Sequence, residues 1–257
     1  MILIEKINKE IDSFTEYTGF FIPYFSDILI SENVKYVAQI NKEEILNNKF
    51  ILHINKNFED YPYILQKSVL WHEFTHVYDI LLFKDRFVPD VLDGVMGTYS
   101  ESHAESIKFR ILLNFKLNQQ FNIGESQNTK IHVENNTFDL SEYTKSFVTN
   151  SVIGLNSFFT SNNPDASDFN KFIKNFCYYC GFLKLHSKIE ADEIFLSILH
   201  QYPQEHRPLL KKLYESIINN DLDKCSEVYH MYYSLFMDRL NILIKKCDNY
   251  LNKSNVT

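Results

Sequence analysis

The segment His72-Glu73-Phe74-Thr75-His76 contains the residues whose types and spacing could do chemistry. On a helix, two histidines four positions apart project from one face, so both imidazoles can reach a single metal ion. Glu73 would point beside that ion, toward a metal-bound water. Zinc with three protein ligands keeps a position for water and lowers its pKa to about 7, which lets a carboxylate take the proton. The pattern predicts His72 and His76 as zinc ligands and Glu73 as the general base of a hydrolase.

The residues around the motif bear on whether it arose by chance. A chain of this composition would contain such a string by chance in roughly 2% of cases. Four apolar residues cluster on one side of the predicted helix, namely Leu70, Phe74, Val77 and Leu81. His72, His76 and Asp79 cluster nearly opposite. This separation favours a metal-binding face over the alternative, a pair of surface histidines on a solvated helix.

A third metal ligand must come from outside the motif helix. A histidine after a glycine turn would need Gly at position 79 and His at 82, where the chain has Asp79 and Leu82. The next predicted helix carries Glu101 and Glu105, four apart on one face. One could ligate zinc while the other accepts a hydrogen bond from the outer nitrogen of a ligand histidine. The alternatives are a capping box that begins at Thr98 for Glu101 and a solvated carboxylate for Glu105.

The motif and the glutamate after it resemble the gluzincin family of zinc peptidases. That family's pattern is HExxH, a spacer of a few tens of residues, and a glutamate ligand with a small residue three positions later and often an acid four later. Glu101, Ala104 and Glu105 occupy those places. The thermolysin-like branch has Asn before its ligand and Ser-Asp after it, so the likeness is to the clan. The short spacer is also similar to that of small cytosolic ImmA/IrrE-like zinc peptidases.

The resemblance covers about residues 50–115 and implies both a fold and a function. It implies a zincin-like α+β fold: a small N-terminal sheet with an edge strand that pairs with an extended substrate, a motif helix, a glutamate helix and a mostly helical C-terminal lobe. Residues 1–125 would form the catalytic region and 126–257 the lobe, as two units or one continuous domain. Glu101 would be the third ligand and Glu105 the partner of a ligand histidine. One Zn²⁺ per chain and a peptide or protein substrate follow from the same likeness.

Local patterns predict the elements that position these residues. Phe50–Asn55 alternates at the strand period and fits the place of the edge strand. His53 on that strand could face the cleft or be an ordinary strand histidine. Before the motif, the expected elements are a helix over 3–13 and a strand over 35–40. The motif helix would be capped by Asp60 and run to about Phe83, followed by a loop over 88–97. A helix from about Thr98 to Gln120 and further helices beyond a polar stretch at 122–137 complete the chain.

Further residues are candidates for supporting roles. Asp79, three positions after His76, could orient a histidine or hold the loop that follows. Tyr99, His103 and the aromatic cluster at 229–233 are candidates for stabilising an oxyanion, and the sequence prefers none of them. Cys177 and Cys180 have no second cysteine pair or nearby histidine pair to complete a metal site, so the sequence favours buried thiols.

Composition narrows the class of partner and the compartment. The 26 basic and 33 acidic side chains give a net charge of −7 with the acids scattered, which disfavours nucleic acid and anionic membranes as partners. The first residues reach charge too early for a secretory signal, and no apolar run approaches the roughly 18 residues of a membrane span. The expectation is a cytoplasmic protein. Two rivals to the peptidase remain: a catalytically silent zinc-binding domain and a metal-free helical interaction protein.

Overall fold

A computed structural model describes residues 3–32, 37–133, 136–161 and 165–254. The fold is α+β, as predicted, with helices predominating over two small sheets. The helices are α1 (Leu3–Thr18), α2 (Lys42–Leu46), α3 (Tyr63–Phe83), α4 (Pro89–Val95), α5 (Glu101–Leu112), α6 (Leu140–Thr160), α7 (Ala166–Leu183), α8 (Lys188–Leu199), α9 (Arg207–Ile218) and α10 (Leu222–Ser254). The strands are β1 (Asp27–Ser31), β2 (Ala38–Ile40), β3 (Ile51–Asn55), β4 (Lys130–Val133) and β5 (Asn136–Asp139).

The N-terminal sheet has the strand order β1-β3-β2, with β1 parallel and β2 antiparallel to β3. β3 corresponds to the predicted Phe50–Asn55 strand, and its Leu52 and Ile54 are buried as the alternation requires. The prediction that it is the edge strand is wrong, because β1, which sequence patterning missed, pairs with its other side. The edge nearest the motif helix is β2. Of the predicted 35–40 strand, residues 38–40 are confirmed and 35–36 lie outside the described residues.

The motif helix α3 is buried on nearly every side. Its apolar residues Leu70, Phe74 and Val77 pack into a core shared with α1 and the sheet. The helix ends at Phe83 as predicted, but Asp60 does not cap it. Asp60 lies in a 3₁₀ turn (Phe58–Asp60), and Pro62 occupies the N-cap position without a side-chain hydrogen bond.

The predicted loop over 88–97 is instead helical. α4 continues into a π-helical turn (Met96–Ser100) that runs directly into α5. Gly94 lies within this helix, and α10 packs so closely that a Cβ at Gly94 would lie 2.4 Å from Ser226 Oγ, which accounts for a glycine at this position. Thr98 donates its hydroxyl hydrogen to the Gly94 carbonyl at 2.6 Å, so it does not cap Glu101. The capping-box alternative is therefore wrong.

α5 is shorter than predicted and lies between the two halves of the molecule. It ends at Leu112 rather than Gln120, since Asn114 adopts a left-handed conformation (φ 54°) and Phe115 N–H returns to the Arg110 carbonyl at 2.8 Å. Ile107 and Ile111 belong to the N-terminal core, whereas Phe109 and Leu112 belong to the core of the C-terminal helices. One helix is thus common to both cores.

The chain after α5 is mostly helical, as predicted. No element was predicted in the polar stretch at 122–137, and the antiparallel pair of β4 and β5 begins within it. α7 packs closely on α5 at Gly181. A Cβ added there would lie 2.6 Å from the Ser102 carbonyl oxygen and 3.0 Å from Glu105 Cβ. Across the described residues, none of the helices combines the length and the apolar character that crossing a membrane requires.

Candidate metal centre

α3 and α5 bring His72, His76 and Glu101 together at the base of a cleft. The two Nε2 atoms are 3.1 Å apart, and Glu101 Oε2 lies 3.9 Å from His72 Nε2 and 3.7 Å from His76 Nε2. All three side chains are buried. A tetrahedral ion with bonds of about 2.0–2.1 Å holds its ligand atoms roughly 3.4 Å apart, close to these separations. These three residues could therefore hold a metal ion.

The polar atoms at this point lack sufficient partners among the described residues. Glu101 Oε2 is buried and has no hydrogen-bond partner among the described residues, although it faces both imidazoles. Leaving a buried acceptor unpaired costs about 1–3 kcal/mol, and more for a charged group. The two Nε2 atoms face each other at a distance where they can share only one proton. One cation between the three atoms would serve as partner to all of them.

Ser100 and Asp79 determine which nitrogen of His76 faces the site. Ser100 Oγ donates its hydrogen to Asp79 Oδ2 at 2.7 Å and lies 2.8 Å from His76 Nδ1. Because its only hydrogen goes to Asp79, Ser100 must accept from His76 Nδ1–H. The lone pair of Nε2 then points at the candidate metal position. Asp79 thus reaches His76 through Ser100, and it also contacts His103 Nδ1 at 3.0 Å.

Glu105 lies against the outer nitrogen of His72. Its Oε2 is 3.3 Å from His72 Nδ1, a close contact whose geometry falls short of a hydrogen bond. Both Glu105 oxygens also accept from Lys108 Nζ, at 3.0 and 3.1 Å. Burial acts to raise the pKa of Glu105, but Lys108 and His72 together lower it. Glu105 is therefore an ionised, fully buried partner of His72 and not a solvated carboxylate.

Glu101 is held as a carboxylate by the charges around it. Its Oε1 forms an ion pair with Lys174 Nζ of α7 at 3.0 Å. Burial acts to raise the pKa of Glu101, but the nearby imidazole of His76, with Lys174 and His72, lowers it well below its usual range. Burial acts to lower the pKa of His76. The nearby carboxylates, Glu101 foremost, outweigh burial, so the pKa is raised. The carboxylates around His76 thus favour a positive charge on its imidazole.

Glu73 lies between the three candidate ligands and the edge strand. Its Oε2 accepts a hydrogen bond from the Ile40 N–H of β2 at 3.0 Å. The cleft over these residues encloses about 520 Å³ and is lined by parts of β2, α3, α5 and α7. A carboxylate, a candidate metal position and the outer edge of β2 thus meet in one cleft.

α7 forms the opposite wall of the cleft with two residues that sequence reasoning missed. Lys174 contacts Glu101, and the Tyr178 ring lies 5.9 Å from the His72 ring, edge to face. Tyr178 sits within the Cys177–Cys180 segment, where only the cysteines were weighed. Those two cysteines are buried free thiols, as predicted. Nothing in the motif's own helix signals a partner this far along the chain.

The residues weighed as oxyanion candidates lie elsewhere. Tyr99 and His103 line a different cavity, on the far side of α5. Tyr229 packs against Phe169 and lies where a side chain at Gly97 would be. His53 Nε2 pairs with Glu44 Oε2 at 2.9 Å, in agreement with an ordinary strand histidine. Of the tyrosines that the structure describes, Tyr178 is the one that lines the cleft.

The chain matches no family model, no curated protein and no solved structure. The case for a function therefore depends on the geometry of the site itself.

Proposed function

We propose that this protein is a zinc-dependent peptidase in which His72, His76 and Glu101 hold the metal and Glu73 is the general base. The convergence of three buried ligand atoms beside a carboxylate in a cleft carries this proposal. Two imidazoles and one carboxylate favour zinc over magnesium or calcium, which prefer oxygen ligands. A zinc ion held there would polarise a peptide carbonyl and lower the pKa of a water to about 7.

Glu73 supplies the proton transfers. The Ile40 N–H fixes one carboxylate oxygen, which orients the other to accept the proton of the attacking water. The same carboxyl group then delivers that proton to the nitrogen of the leaving amine, which completes hydrolysis of the peptide bond. A structural metal site would close with a fourth protein ligand and has no use for such a carboxylate.

The free edge of β2 is the proposed docking site for the peptide backbone. Asn55 N–H bonds to the Val37 carbonyl, and Ala38 and Ile40 are paired with Ile54 and Leu52. In an antiparallel pair the bonding direction alternates, so Ala38 and Ile40 direct their backbone groups away from β3. Because the Ile40 N–H donates to Glu73, the Ala38 groups and the Ile40 carbonyl are the ones offered to a peptide. An extended peptide can add to such an edge as a further strand. β2 thus takes the role expected of Phe50–Asn55.

The test compares Glu73→Gln with wild type in metal content and in cleavage of a peptide library. Wild type and Glu73→Gln should each carry about one zinc per chain. Cleavage by the variant should fall by roughly 10²- to 10⁴-fold, because an amide cannot accept the water's proton. Zinc is measured by atomic emission and cleavage by mass spectrometry.

Two further variants make the test decisive. Glu142→Gln, the same change at an exposed position on α6, should leave cleavage unchanged. His72→Ala should lose both zinc and cleavage, since it removes a ligand. Undiminished cleavage by Glu73→Gln would exclude Glu73 as the base. A metal-loaded protein that cleaves nothing in the library would favour a silent zinc-binding domain, and a protein that retains no metal would favour an interaction protein.

A further inference from the structure

A second cavity, of about 480 Å³, lies on the far side of α5 from the metal cleft. Glu101, Glu105 and Lys108 line the cleft, whereas His103, Ser106 and Arg110 line this cavity. At about 100° per residue the two sets project from opposite sides of the helix. The ends of α7 and α9 and the beginning of α8 complete the walls. The cavity is thus separate from the proposed peptidase site.

Three basic side chains, those of Arg110, Lys184 and Lys188, line the cavity without a carboxylate in contact among the described residues. Lys184 Nζ and Lys188 Nζ donate to the neutral amide oxygens of Asn220 and Asn219, at 3.4 and 2.8 Å. Arg110 donates to two backbone carbonyls at 3.0 and 2.6 Å. Among the described residues, no carboxylate oxygen lies within 4.0 Å of these three groups, and the lining includes no Asp or Glu. In a chain of net charge −7, this is a local concentration of basic groups, although Asp79 acts on Lys184 and Glu190 acts on His186 from outside the lining.

His186 supplies an independent sign that a ligand is missing. Its ring is only 2% exposed, it lines the cavity, and both ring nitrogens lack a hydrogen-bond partner among the described residues. Burial lowers the pKa of His186, against the nearby Glu190 carboxylate and the carbonyls of Phe182 and Leu183, which act to raise it. A neutral imidazole has one donor and one acceptor, and burying both unpaired is costly. A polar ligand in the cavity would supply a partner.

We propose that this cavity binds a small phosphate-bearing anion. Phosphate suits several cations better than a single carboxylate does, because it carries more charge and offers three acceptor oxygens. α8 begins at Lys188, so the positive end of that helix lies at the cavity as well. The carboxyl ends of α7 and α9 do not oppose the anion strongly, since N–H groups at 184–186 and 219–221 bond to their last carbonyls. The volume is that of a typical small-molecule site.

Burial also lowers the pKa of Lys184 to about 8, although Asp79 acts to raise it, and Lys184 Nζ lies 4.4 Å from the centre of the Tyr99 ring. A buried ammonium group without a counter-charge loses protonation readily. An anion beside it would restore the charged form, which agrees with the geometric argument.

Isothermal titration of the purified protein with inorganic phosphate and with adenosine monophosphate tests the proposal. Both should bind saturably at one site per chain. Tighter binding of the nucleotide would identify an organic phosphate as the ligand, and equal affinity would identify free phosphate. Lys184→Met and Lys188→Gln should each weaken binding by roughly tenfold or more, as loss of a charged hydrogen bond predicts. Lys171→Gln, at an exposed position outside the cavity, should not.

Because phosphate also coordinates zinc, the titration is repeated on protein that has been stripped of metal and dialysed. Binding that persists there belongs to the cavity and not to the metal centre. The proposal is overturned if no probe binds saturably at millimolar concentration, if stripping abolishes binding, or if the Lys188→Gln variant, whose site is exposed and tolerant of change, binds as tightly as wild type. None of these outcomes depends on peptidase activity.

Discussion

Ser100 occupies a position where a single hydroxyl group controls the donor geometry of the metal centre. Its hydrogen goes to Asp79, so its lone pair must take the hydrogen of His76 Nδ1. That fixes the imidazole tautomer whose other nitrogen can bind a metal.

The Ser100→Ala variant should bind zinc roughly 10- to 100-fold more weakly than wild type, which is the usual effect of losing a partner of a ligand histidine. Competitive titration against a zinc chelator measures the change. Ser102→Ala is the matched control, because Ser102 is buried in the same helix and its hydroxyl has no partner among the described residues. Equal zinc affinities for the two variants would mean that Ser100 does not position His76.

Site residues that depend on local helix geometry could be predicted from the sequence. His72 and His76 share a face because of their spacing on one helix, and Glu101 with Glu105 repeats that spacing on the next. Tyr178 could not be predicted, since its place depends on how α7 packs. Lys108 was also missed, and removing Glu105 would deprive this buried cation of its carboxylate partner.

At the scale of elements, α7 completes the cleft only because it approaches α5 closely. Gly181 permits that approach opposite Ser102 and Glu105. Sequence reasoning placed the helices well where apolar periodicity was strong, but it failed where glycine has a packing role. Gly94 suggested a loop, yet it lies within α4. A glycine is needed there because α10 leaves no room for a side chain. The edge strand was misassigned because β1, with mostly exposed residues, lacks a clear alternation.

The Gly181→Ala variant should lose about 1–3 kcal/mol of unfolding free energy, because the added methyl group cannot fit against the α5 backbone without displacing a helix. Urea denaturation followed by circular dichroism measures the loss. Displacement of α7 also moves Lys174 and Tyr178 from the cleft, so cleavage should fall with stability. Asn170→Ala, at an exposed position of α7, serves as the control and should leave both unchanged. A fully stable Gly181→Ala variant would mean that the two helices are free to separate.

At the scale of the whole molecule, a metal at this site would connect both cores. His72 and His76 belong to α3 and Glu101 to α5, and α5 packs into the N-terminal core and into the core of the C-terminal helices. A ligand that binds only the folded state stabilises it by mass action, by about 2.7 kcal/mol at a free concentration 100 times its dissociation constant.

Zinc should therefore raise the Tm of the entire chain rather than of one region. For a chain of this size 1 kcal/mol shifts Tm by roughly 2–4 °C, so the rise should be several degrees and should be reversed by a chelator. Glu73→Gln should respond like wild type because it keeps all three ligands, whereas His76→Ala should show no rise. Calorimetry with and without zinc measures these shifts. If His76→Ala is stabilised as much as wild type, zinc binds elsewhere; if wild type shows two transitions and only one moves, α5 does not couple the two cores.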